Sequence, residues 1–218
     1  LHLAPTEEAV LNLKKEGVPE DRVRFVGSMM AESVLRHLDG VKGSDAATRY
    51  GESAGNYLLL AVNHGENTCD SVRLESLVEA TKAIGVPVLV PDARDLRYAL
   101  DVRGLETPDV WRCLEPVPYV DMLALEREAA VVVTDSGGVQ EEACMLDTPC
   151  VTLRNHTEHG ATIEVGANRL GYGSSAEITD AIRAALDSKR GWVTPQRWDR
   201  AVSDRIARAI RRGVRPLE

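Results

Sequence analysis

The run from 130 to 146, AVVVTDSGGVQEEACML, carries the residue types best suited to chemistry. A continuous apolar stretch ends at Thr134-Asp135, turns through Ser136-Gly137-Gly138, and enters a helical pattern at Val139. Two glycines at a strand-to-helix junction let the backbone approach a ligand with no Cβ in the way. The N–H groups that open a helix have no partner inside it, and the dipole adds positive potential, so the junction suits a diphosphate. Glu142 follows Ser136 by six residues, where a carboxylate can accept hydrogen bonds from two sugar hydroxyls. A plain tight turn followed by an exposed helix carboxylate fits the same spacing.

Such a junction needs a sheet to carry it. Apolar runs at 23–27, 57–63, 86–90, 130–134 and 150–153 are short, nearly continuous and rich in Val, Leu or Ile, as strands covered on both faces are. Helical patterns alternate with them at 7–16, 29–38, 71–84, 121–128 and 138–146, and 175–188 and 198–212 follow the last strand. The alternation predicts an α/β fold with a doubly wound, Rossmann-like parallel sheet, whose ligands sit at the carboxyl ends of strands where the winding reverses. Thr6 before Glu7 and Glu8 predicts a capped helix start, and Gly17 and Gly85 predict helix ends. The polar, Gly-rich stretch 40–55 is expected to be a mobile loop. The whole chain, 1–218, reads as a single domain with a C-terminal helix at about 198–213.

Composition narrows the function classes. With 26 basic and 34 acidic residues the net charge is −8, which disfavours nonspecific nucleic-acid binding. No stretch has the run of about 18 apolar residues that a membrane helix needs. Leu1 stands where Met would open a complete chain, so the numbering is expected to begin inside a longer one. Cys69, Cys113, Cys144 and Cys150 lack CxxC spacing and paired histidines, so neither a metal nor a disulfide is expected. They read as buried, reduced thiols of a cytoplasmic protein. The stretch 197–215 carries seven arginines, with Trp192 and Trp198 nearby. It reads as a solvated helix face with a docked Trp, rather than a phosphate site.

The run TDSGGVQEEA, followed by PCVTLRNHTEHGATIEVGANRL, resembles the non-hydrolysing UDP-N-acetylglucosamine 2-epimerases. The opening LHLAPTEEAVLNLKKEGVPEDRVRFVGS and the tract CLEPVPYVDMLAL resemble the same family, so the likeness covers nearly the whole chain. It implies one half of a GT-B architecture, in which two Rossmann-like domains enclose the active site. The chain matches the second domain; the family's N-terminal domain, which supplies acid/base carboxylates and basic phosphate contacts, lies outside the match. The resemblance implies a UDP-sugar ligand, no cofactor, a role in polysaccharide biosynthesis and a homodimer. It assigns the diphosphate to Ser136, Gly137 and Gly138 and the ribose to Glu142.

Several tracts depart from the family pattern. Its His-Arg-x-Glu-Asn appears as Asn63-His64-Gly65-Glu66-Asn67, so His64 either takes the catalytic histidine's place by a one-residue shift or that group is lost. Its Thr-Glu-Arg-Pro-Glu appears as Thr157-Glu158-His159-Gly160-Ala161, which puts His159 where an arginine would face the ligand. His-Pro-Arg-Thr becomes Asp92-Ala93-Arg94-Asp95, and Gly-Asp-Gly becomes Trp198-Asp199-Arg200. The family reaction is C2 epimerisation by elimination and re-addition of UDP. A catalytically inactive nucleotide-sugar binding module and a GT-B glycosyltransferase domain are the rival readings.

Overall fold

The computed structural model describes residues 1–213. Its first unit is β1 (His2–Ala4), α1 (Glu7–Lys15) and β2 (Val23–Phe25). The two strands pair in parallel with each other in a sheet of their own. The run at 23–27 is therefore a strand, but not one of the main sheet. Thr6 accepts the Ala9 N–H at 3.1 Å as the expected cap, and Gly17 takes φ +82 just past the helix end.

Next come α2 (Met29–Lys42), α3 (Ala46–Arg49), β3 (Leu58–Ala61), α4 (Gly65–Thr68) and α5 (Ser71–Ile84). The expectation of a mobile loop at 40–55 is corrected here. The stretch holds the end of α2 and all of α3, because Val41, Ala46 and Ala47 are small enough to bury beneath a polar exterior. The chain continues through β4 (Val88–Val90), α6 (Arg94–Val102), β5 (Trp111–Cys113), α7 (Tyr119–Glu128) and β6 (Val131–Thr134). Then α8 (Gly137–Met145), β7 (Cys150–Thr152), α9 (Gly160–Glu164), β8 (Asn168–Leu170), α10 (Ser175–Leu186) and α11 (Val202–Gly213) complete it.

Six strands form one parallel sheet in the order β5-β4-β3-β6-β7-β8. The strands β5, β8 and β1 and the helices α3, α4, α6 and α9 were not among the expected elements. Successive residues of each strand point to opposite faces. Leu58, Leu60, Val131 and Val133 thus pack with Leu74 and Leu77 of α5, Leu96 and Leu100 of α6, and Ile178 and Ile182 of α10. On the other face Leu59, Leu89, Val132 and Cys150 pack with Val34 of α2, Leu123 and Leu125 of α7, and Ala143 of α8. Burying each such Leu or Ile contributes roughly 1.5–3 kcal/mol. Two full apolar layers are what make the doubly wound α/β arrangement stable, and the strands β3 and β6 meet at its centre.

Trp198 docks as expected: it is buried, and its indole N–H reaches the Pro5 carbonyl at 3.3 Å. The helix expected from 198 begins only at Val202, after a turn in which Arg197 adopts φ +63. Arg205 donates to the Val26 and Arg197 carbonyls at 2.7 and 2.8 Å, so it fastens α11 to the first unit. Arg215 lies outside the described residues. Among the cysteines, all free, Cys144 and Cys150 are buried, and burial pushes the Cys144 thiol up to about 12. Cys69 is exposed, against the expectation for all four. Among the described residues no helix is long and apolar enough to cross a membrane.

Candidate functional site

The chain leaves β3 toward β4 and β5, and returns to the opposite side of β3 as β6, so the winding reverses between β3 and β6. A crevice opens at the carboxyl ends of strands at such a point. Asp135 closes it. Its buried carboxylate accepts the Asn63 N–H at 3.2 Å, the His64 N–H at 3.0 Å and the Asn67 side-chain amide at 2.9 Å. The same amide also reaches the Leu153 carbonyl at 3.0 Å. One carboxylate and one amide therefore tie together the chain segments that follow β3, β6 and β7.

The helix α8 begins at Gly137, two residues before the expected entry at Val139, with Ser136 as its N-cap residue. The Ser136 hydroxyl makes no capping bond, and the first-turn N–H groups of Gly137, Gly138 and Val139 have no backbone partner. Neither glycine has positive φ, so close approach explains them. A Cβ on Gly137 would stand 2.3 Å from His159 Nε2, whereas one on Gly138 would meet the flexible end of Met30 at 3.3 Å and the Ser136 hydroxyl in ordinary contact at 4.0 Å.

His159 is oriented from behind. Its Nδ1 lies 3.0 Å from Glu141 Oε1. A carboxylate only accepts, so the proton sits on Nδ1 and Nε2 is left facing the junction. Glu141 in turn accepts from the hydroxyl of Ser28, the N-cap residue of α2. The ring that occupies the expected arginine position is thus held by a relay from α8 and α2.

Two turns into α8, Glu142 is buried at 5% exposure, which sets aside the exposed-carboxylate reading. Its Oε1 accepts from the Tyr119 hydroxyl at 2.8 Å. Burial raises the Glu142 carboxyl above its ordinary range, and the hydrogen bond from Tyr119 opposes that shift. Burial pushes the Tyr119 phenol up to about 12, so it is a donor at neutral pH.

Ser136, Gly137, Gly138, Glu142 and His159 all come together along α8. His64 is the N-cap residue of α4, three residues past β3, with its backbone N–H on Asp135; its side chain is exposed and makes no hydrogen bond among the described residues. Sequence reasoning missed Asp135, Glu141, Ser28 and Tyr119. A charge that ends an apolar strand, as Asp135 does, has to be satisfied when buried, and that signal was available.

The family model described as UDP-N-acetylglucosamine 2-epimerase matches residues 1–211. The UDP-N-acetylglucosamine 2-epimerase of Methanocaldococcus jannaschii is 34% identical over 203 residues, covering 88% of this chain and 56% of the relative. A Pseudomonas aeruginosa UDP-2,3-diacetamido-2,3-dideoxy-D-glucuronate 2-epimerase is 34% identical over 187 residues, covering 84% and 51%. A crystal structure of the M. jannaschii UDP-GlcNAc 2-epimerase, in complex with UDP-GlcNAc and UDP, superposes with TM-score 0.86 at 31% identity and covers 97% of this chain and 60% of that one. This chain therefore spans little more than half the length of the relatives it matches. Sequence, sheet order and superposition agree, and the chain belongs to the UDP-N-acetylglucosamine 2-epimerase family.

Proposed function

We propose that this chain is the UDP-binding part of an enzyme that epimerises UDP-N-acetylglucosamine at C2. The observation that carries the reading is the start of α8, where three unpartnered N–H groups, an uncapped Ser136 hydroxyl and His159 Nε2 converge. That arrangement fits a diphosphate. Glu142 lies about 9 Å further along the helix, six residues at 1.5 Å rise, and accepts the ribose hydroxyls. The reading of nucleotide sugar also draws on the relatives, whose names and bound ligands are UDP-sugars and UDP.

In the proposed reaction a base removes the C2 proton, and the C1–O bond breaks with its electron pair passing to the diphosphate. This leaves 2-acetamidoglucal and UDP. The diphosphate oxygen then adds back to C1 and C2 is protonated on the opposite face, giving UDP-N-acetylmannosamine. Negative charge grows on the diphosphate as C1–O breaks, so the N–H donors of α8, and His159 as the imidazolium with its Nε2–H directed at the phosphates, act where they stabilise the transition state. His64, at the start of α4 just past β3, assists at the same phosphates. The base comes from the family's N-terminal domain. The free thiols fit a reducing, cytoplasmic setting.

The test is proton NMR of UDP-N-acetylglucosamine with this chain in D₂O, alone and with an N-terminal domain of the family added. Broadened uridine signals, followed by C2 exchange and a new manno anomeric signal when that domain is present, are the expected result. Broadening with no exchange in either tube would leave a binding module in place of an epimerase. Unchanged spectra would mean that the Ser136–Gly138 junction is only a turn.

A further inference from the structure

One acidic group stands behind the site and has no role in the scheme above. Glu126, in the last turn of α7, is completely buried, and both of its carboxylate oxygens lack a hydrogen-bond partner. A buried, ionised and unpaired carboxylate is too costly to persist. The group nearest to it in charge is Glu142 of α8, the candidate ribose acceptor. The other titratable groups facing it are the Tyr119 phenol of its own helix and the Cys150 thiol of β7. Glu141 of α8 lies beyond Glu142. None of these is a cation. Two ionised carboxylates cannot share that space, whereas one proton between them gives Glu126 a donor and Glu142 an acceptor.

We propose that Glu126 is a neutral carboxylic acid that keeps its proton, donates a hydrogen bond to Glu142 and so positions the ionised Glu142 carboxylate for a ribose diol. The proposal rests on the reading of Glu142 as the ribose acceptor and adds the group that holds it. Burial, with the adjacent Glu142 charge, drives the Glu126 carboxyl well above its ordinary range, in agreement with a retained proton. Glu142 then has Tyr119 as donor on one side and Glu126 on the other. A carboxylate has about four lone-pair sites, so capacity remains for two ribose hydroxyls. Glu126 touches no substrate atom in this arrangement. It is a positioning residue.

The experiment compares the chain with its Glu126→Gln, Glu126→Leu and Glu142→Gln variants, using UDP and 2′,3′-dideoxy-UDP as probes in calorimetric titration. Gln keeps a donor that cannot ionise, so Glu126→Gln is expected to bind UDP within about threefold of the parent. Leu offers no donor, and Glu126→Leu is expected to lose about tenfold in UDP affinity, with no loss for the dideoxy probe. The infrared spectrum at neutral pH should contain a protonated-carboxyl band that Glu126→Gln removes. Unaltered UDP binding by Glu142→Gln would overturn the ribose assignment itself. A loss in Glu142→Gln with equal affinities for the parent and both Glu126 variants would overturn the positioning role alone, as would equal losses in the two Glu126 variants. If Glu126→Leu folds poorly the infrared comparison decides, and a parent spectrum without the band refutes the neutral acid.

Discussion

Replacing Gly137 by Ala separates the stability of α8 from the chemistry at its start. The added Cβ would lie 2.3 Å from His159 Nε2, closer than real Cβ atoms come, and 3.0 Å from its Cδ2, a tight contact. Gly137 is helical, so the backbone cannot turn away without ending α8 later. The ring has to move by about 1 Å to reach ordinary contact, and that motion breaks the 3.0 Å bond from Nδ1 to Glu141. Losing a hydrogen bond to a charged group costs about 1.5–3 kcal/mol. The value belongs at the lower end here, since the His159 side chain is 21% exposed. Ala recovers at most about 1 kcal/mol of helix propensity over Gly. The net destabilisation is then about 1 kcal/mol, or about 2–4 °C in Tm for a chain of this size. UDP affinity falls further, about tenfold, because the same displacement moves the imidazolium Nε2–H away from the diphosphate. Gly138→Ala is the comparison for the steric clash, since its Cβ meets the flexible end of Met30 at 3.3 Å and does not touch the His159 ring. Calorimetric titration with UDP and a thermal melt on both variants decide the matter. Gly137→Ala with parental affinity, or Gly138→Ala with the larger loss, would refute the account of why glycine stands at 137. The double variant Gly137→Ala, His159→Ala should recover the melting temperature but not the affinity.

Asp135→Ala removes the acceptor of the buried Asn67 amide and of two partly buried backbone N–H groups and should destabilise the chain by about 2–3 kcal/mol, read from urea unfolding. A cost below about 1 kcal/mol would mean that the loop after β3 stands without it. Stability should also depend on pH through Glu126, whose folded-state carboxyl is raised. Its stabilising contribution is complete below the unfolded value of about 4.3 and is lost as pH rises toward the folded value, with a slope of up to about 1.4 kcal/mol per pH unit. Glu126→Gln should flatten that decline in unfolding free energy, and an identical slope in both proteins would exclude Glu126 as its source. Trp198→Ala should cost about 3–5 kcal/mol by emptying the buried seat of the indole ring. Its urea midpoint tests this, and an unchanged midpoint would show that α11 docks through Arg205 instead.

The central strands were legible in the sequence and the edges were not, for a physical reason. Strands β3, β4, β6 and β7 are covered on both faces, so their apolar runs are continuous and stand out. An edge strand is covered less completely and can carry polar residues, as β5 does with Arg112 and β8 with Asn168 and Arg169. β1 spans only His2–Ala4 and pairs with a single neighbour, so it leaves no pattern longer than its own length. The helices α3, α4 and α9 have four or five residues, too few to repeat an apolar face. The omission of α6 is different. Leu96, Ala99 and Leu100 have helical spacing and are buried, so the signal was present beside the Asp92–Asp95 tract, which was compared only with a motif.

The site divides along the same line, between what is local and what the fold brings together. Ser136, Gly137, Gly138 and Glu142 lie within seven consecutive residues, so one helix sets their relation and the sequence suffices to place them. Their supports come from distant segments: Ser28 from the start of α2, Tyr119 and Glu126 from α7, His159 from the segment after β7. Part of this was nonetheless readable. Tyr119, Leu123 and Glu126 fall at i, i+4 and i+7, so Glu126 lies on the core-facing stripe of its helix, where a carboxylate has to be neutralised or paired. His159 gives the reverse lesson. An imidazole where the family has an arginine reads in isolation as a weakened site. In the fold, the missing Cβ of Gly137 admits the ring, and Glu141, fixed by Ser28, aims Nε2 at the helix start. A departure from a motif is therefore best judged against the residues that surround it in space, because they decide whether the replacement can reach the same ligand atoms.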